Sequence, residues 1–133
     1  MPMLFDRQVR AVLLGLWGLA WVIIAFLMLA PLHSPLPVSH GDLIAHFLCY
    51  GFLAFTAVGF SQRTIELTLF AVLTVAGGIA LELAQGLVPY RTVDVLDMAA
   101  NALGAMAGYG GAMVVLLLWI RPALEAHKGS ARA

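Results

Sequence analysis

Along this chain, long and evenly apolar stretches alternate with short polar breaks. Residues Ala11 to Leu32 and Met113 to Ile120 carry no charge at all, whereas a helix at the surface of a soluble protein keeps a polar face along its length. Four segments, near 11–32, 43–60, 67–88 and 96–120, are each long enough to cross roughly 30 Å of hydrocarbon at about 1.5 Å per residue. The breaks between them are chemically plain. His33-Ser34-Pro35-Leu36-Pro37 cannot continue a helix, Ser61-Gln62-Arg63-Thr64 is a short polar turn, and Pro89-Tyr90-Arg91-Thr92 separates the last pair. Short connections make consecutive spans antiparallel neighbours. The pattern therefore predicts an all-α fold in one domain over residues 1–133, an antiparallel bundle of four transmembrane helices. The first span is read as retained, because its apolar run exceeds the core of a signal peptide and lacks a clear small-x-small cleavage site.

Composition agrees with a membrane protein: 62% of the 133 residues are hydrophobic and 11% charged, with mean hydropathy +0.97. The formal net charge of zero hides an asymmetry that the spans expose. With four spans, the termini and the middle loop share one side, which holds Arg7, Arg10, Arg63, Arg121, Lys128 and Arg132 against Asp6, Glu66 and Glu125. The other side holds Arg91 against Asp42, Glu82, Asp94 and Asp97. By the positive-inside rule both termini are expected in the cytoplasm, which makes this a multi-pass cell-membrane protein with an acidic extracytoplasmic end. Trp119, beside Arg121, fits an aromatic anchor at the inner interface. Three of the four histidines, His33, His40 and His46, fall at or near the outer end, and His127 lies in the tail. The single cysteine, Cys49, excludes an intramolecular disulfide and reads as packing.

Several polar residues sit inside or at the edges of the apolar runs, where each is costly and so marks a candidate functional position. Asp42 and His46 are four apart at the start of the second span, with Tyr50 continuing the stripe. Glu82 and Gln85 share a face near the end of the third. Asp94 and Asp97 fall in the first turn of the fourth, where acids complement the helix dipole, and Asn101 lies one turn deeper. Arg91 precedes them. A purely structural account is also available, in which Asp42 caps its helix and Glu82 pairs with Arg91 or His46 to hold helices together. Such glue needs one or two polar groups, and this end has eight. Gly104 and Gly108, extended by Ala100 and Ala112, form a small-residue stripe that lets a neighbouring helix approach closely; Gly77-Gly78 reads the same way. Trp17 and Trp21 read as packing or lipid-facing residues of a first span that serves as an anchor.

The ordered set Asp42-x3-His46-Phe47 with Tyr50, then Glu82-x2-Gln85, Arg91, Asp94-x2-Asp97 and Asn101-x2-Gly104-Ala105-x2-Gly108 closely resembles the signature of VanZ-like membrane proteins, from about Asp42 to Tyr109. The resemblance implies a small integral protein of the cell envelope. The named member of that family is associated with low-level resistance to the glycopeptide teicoplanin.

Two functional readings follow. In the first, the protein is an enzyme acting on a lipid or lipid-linked envelope precursor. His46, Glu82 and Asp97 carry the catalysis there, with His46 as acid or base oriented by Asp42 or Glu82. Arg91 clamps a phosphate or carboxylate, and Asp42, Tyr50, Gln85, Asp94 and Asn101 line the binding site. In the second, the same residues only bind a lipid headgroup or other ligand, or serve a membrane complex as a partner subunit. Transport ranks last, because the inner halves of the spans carry no polar path. No cofactor is required and no dense metal-ligand motif is present, although Asp42, His46, Glu82 and Asp97 could jointly hold a divalent cation. The expected partners are membrane lipids and a second copy of the chain through the Gly104/Gly108 face. No basic stripe suggests nucleic acid.

Overall fold

A computed structural model describes residues 6–30, 41–61 and 63–122. These residues form four helices: α1 (Arg7–Leu29), α2 (Gly41–Thr56) extended by a 3-10 turn (Ala57–Gly59), α3 (Thr64–Gln85), and α4 (Val95–Val115), which continues through a π-helical turn (Leu116–Ile120). Each is long and apolar enough to cross a membrane, and there is no strand among the described residues. The break at 33–37, His33, His40, His127, Lys128 and Arg132 lie outside the described residues.

The helix ends differ from the hydropathy limits by a few residues, for local reasons. Helix α1 starts at Arg7 rather than 11 because its arginines join the helix. Arg10 Nη2 meets Glu66 Oε2 at 3.1 Å and its Nε donates to the Phe60 carbonyl at 3.1 Å. It stops at Leu29, before Ala30 turns extended. Helix α3 runs from Thr64 to Gln85 rather than to 88. Pro89 disfavours helical backbone at Val88, and Leu87 and Val88 close tight turns onto Ala84 and Gln85. Asp94 begins α4 as an N-cap, its Oδ1 accepting from Leu96 N at 2.7 Å.

Consecutive helices run antiparallel, but the most extensive interface is the parallel pair α2 and α4. Its cause is the small-residue stripe. A Cβ added to Gly104 would strike the Phe47 carbonyl, one added to Gly108 the Gly51 carbonyl, and one on Gly51 would sit 3.2 Å from Gly104 O. Helix backbones can come this close only where Cβ atoms are missing, and inside a membrane such packing supplies much of the attraction between helices. The glycine face expected to meet a second copy is thus occupied by α2 of the same chain. Gly78 plays a related part in α3: its bare Cα makes room for the Tyr50 ring and for Asn101.

Helix α1 lies at the periphery, with Ile24 its one buried residue, yet it does more than anchor. Trp17 Nε1 donates to the Leu53 carbonyl at 2.9 Å, and its ring stands edge-on to Phe70, Phe60 and Trp21. Trp21 in turn stands edge-on to Tyr50 and covers Gly77. Trp17→Phe keeps the aromatic packing and loses only the donor. Because Leu53 O also accepts from Thr56 Oγ1, the carbonyl is not orphaned, and a thermal melt in detergent should register a loss of about 1 kcal/mol or less.

Candidate functional site

The polar residues collect at the end of the bundle where α1 and α3 finish and α2 and α4 begin. His46 enters from α2 at 5% exposure, Glu82 from α3 at 1% and Asn101 from α4 at 1%. Asp97, one turn above Asn101, is partly open. One ligand-type atom from each of His46, Glu82 and Asp97 lies within 4.8 Å of the others. Three helices distant in sequence therefore deliver three ionisable groups to one point.

The surrounding hydrogen bonds define the chemistry of each group. Asn101 Nδ2 donates to the Gly78 carbonyl at 3.4 Å, which turns its Oδ1 toward His46. His46 Nδ1 lies 2.8 Å from that oxygen. An amide oxygen only accepts, so Nδ1 carries a proton and Nε2 points to the opposite side of the ring. Asp97 Oδ2 is 3.8 Å from that Nε2. Glu82 Oε1 accepts from Asp94 N at 2.8 Å, tying α3 to the start of α4. Its second oxygen, Oε2, is buried and makes no hydrogen bond among the described residues, and the same holds for the hydroxyl of fully buried Tyr50. The Tyr50 ring stacks on His46, with centroids 6.4 Å apart and planes 20° apart.

Not every candidate joins this centre. His46 is oriented by Asn101 rather than by Asp42 or Glu82, and Asp42 stays exposed in the first turn of α2. The Glu82 hydrogen bond runs to the Asp94 backbone rather than to Arg91 or His46. Asp94 works through its backbone and as a cap. Gln85 and Arg91 turn toward α1: Gln85 Nε2 donates to Met28 O at 2.8 Å and Arg91 Nη2 to Ala30 O at 3.3 Å, while Tyr90 Oη donates to Leu29 O at 3.0 Å. The last carbonyls of a helix have no partner within it, and at membrane depth they must find one in protein. That rule is the signal by which Tyr90, absent from the sequence reading of the site, could have been found.

Beside the centre, at the same depth on the lipid-facing side of the α2–α4 pair, runs an apolar groove. Ile44, Phe47 and Leu48 line it from α2, and Leu96, Ala100 and Leu103 from α4. Four apolar spans with a buried ionisable cluster flanked by an apolar groove define a polytopic helical membrane protein with a polar site near one end of its spans. The sequence profile of the VanZ/LLP1 family matches residues 34–118, and the chain belongs to that family. An uncharacterized protein of Schizosaccharomyces pombe is 30% identical over 107 residues, a stretch covering 78% of this chain and 64% of that protein's length. No solved structure matches.

Proposed function

We propose that this protein binds, and acts on, the headgroup of a membrane lipid or lipid-linked envelope precursor at the extracytoplasmic end of its helices. The observation that carries this reading is the convergence of His46, Glu82 and Asp97 within 4.8 Å, next to a groove that opens on lipid. A headgroup at the cluster would leave an acyl or polyprenyl chain free to lie along Ile44, Phe47, Leu96 and Leu103. His46 Nε2, unprotonated in the tautomer that Asn101 selects, is placed to take a proton from an attacking water or hydroxyl, and Asp97 to stabilise the imidazolium so formed. Charge distribution supports the sidedness: Arg10, Arg63 and Arg121 all lie at the opposite end.

The test is reconstitution of the full chain in vesicles of defined phospholipids, with mass spectrometry of both lipid and soluble fractions. A released headgroup or remodelled lipid that disappears in His46→Gln is the expected result, with the general-base contribution alone worth a factor of about 10²–10⁴. Lipid that co-purifies with wild type and is never converted would convert the reading to a binding module, and neither binding nor conversion would end it.

A further inference from the structure

We propose that His46, Glu82 and Asp97 form the binding site of one divalent transition-metal ion. The site goes beyond the lipid reading: an ion on His46 Nε2 takes up the lone pair that serves there as the base, so the two uses of that nitrogen are alternatives, while headgroup binding is compatible with either.

The donor set is the first argument. One imidazole nitrogen and two carboxylate oxygens, each from a different helix, lie within 4.8 Å of one another. Small side-chain rotations bring such atoms onto bonds of about 2.0–2.2 Å. Three protein ligands with an open position are the pattern of metal sites that do chemistry. An imidazole in the set suits zinc, manganese or iron(II) better than calcium or magnesium, which call for shells built of oxygen.

Two independent features point to a cation at this spot. His46, held through Nδ1 by Asn101, turns its Nε2 toward Asp97, and the two atoms stand 3.8 Å apart, too far for a hydrogen bond and close enough for one ion to bridge. Glu82 supplies the second feature. At 1% exposure its Oε2 is buried yet receives no hydrogen bond, and a carboxylate oxygen in such a place needs a donor or a cation. The other contacts match the outer arrangement of metal centres, in which each ligand is fixed by a hydrogen bond on its far side. Asn101 holds His46 in this way, and the Asp94 backbone holds Glu82. Asp42, exposed above the cluster, is outside the set.

The experiment uses the full chain in phosphatidylcholine nanodiscs, stripped with a chelator. It is titrated with Mn²⁺, read by the resonance of the free ion, and with Zn²⁺, read by elemental analysis after desalting. One ion per chain is expected. His46→Ala and Glu82→Gln should each weaken binding at least about tenfold, and Asn101→Ala, a positioning change, about 10–100-fold. Glu82→Gln keeps an oxygen for Asp94 N, so its melting curve checks that the bundle remains folded. Wild-type protein that binds neither ion more tightly than folded Glu82→Gln would overturn the proposal. So would nitrogen spectra of His46 that show both ring nitrogens protonated and unmoved by Zn²⁺, because the pair is then an ion pair without metal. No activity enters the readout: one ion per chain removes His46 Nε2 as the free base of the lipid reading, and the absence of binding leaves that reading as it stands.

Discussion

Gly108→Val is expected to lower the stability of the bundle by about 3 kcal/mol, the upper end of the usual cost of overpacking. The first added carbon already strikes the Gly51 carbonyl and lies 2.9 Å from its carbon and 3.0 Å from Phe55 N. All of these are backbone atoms, which cannot rotate away as a side-chain tip can, so α2 and α4 must separate along their whole seam. Thermal melting in a mild detergent would measure the change, against a series of substitutions graded by environment. Gly77→Ala meets the Trp21 ring first, a side chain that can tilt, and should cost less. Gly15→Ala and Gly110→Ala meet nothing within 4 Å and should be neutral or gain up to about 1 kcal/mol from helix propensity. Equal melting temperatures across the series would show that α2 and α4 make no backbone contact along this seam.

Asn101→Ala is expected to cost about 2 kcal/mol and also to change the site. The amide bridges His46 of α2 to the Gly78 carbonyl of α3 from its own position on α4. Its removal leaves the His46 Nδ1–H buried without an acceptor, at a price of about 1–3 kcal/mol. A structural role alone would end there. The imidazole would also lose the contact that selects its tautomer, so the nitrogen chemical shifts of His46 should move from one clearly protonated Nδ1 toward a mixture of both tautomers. An unchanged His46 spectrum in a destabilised protein would mean that the ring is oriented by Tyr50 stacking instead.

How much of this was legible in the sequence depended on what kind of interaction was at stake. The spans were, because hydropathy depends only on local composition; the limits moved by a few residues where Arg10, Pro89 and Asp94 impose end effects. The convergence of His46, Glu82 and Asn101 followed from helical phase and the common end of the spans. Partner choice did not. Nothing in the spacing of Gln85 and Arg91 says that they face Met28 and Ala30 rather than a ligand, since hydrogen bonds between helices depend on which spans are neighbours. The glycine stripe shows the same limit. Gly104 and Gly108 announce a close approach, but that the approaching backbone is Phe47 to Gly51 of the same chain is a property of the bundle, visible only in three dimensions.

The parallel seam of α2 and α4 also bears on how the protein is made. A ribosome delivers α2 to the membrane one full hairpin before its closest companion, and during that interval Gly51 has no stripe to receive it. Glu82 and His46 enter with neither Asp97 nor Asn101 beside them. The three ionisable groups come together only once α4 lies beside a helix that enters two spans earlier, and a chain truncated after Gln85 would hold His46 and Glu82 without Asp97 and Asn101.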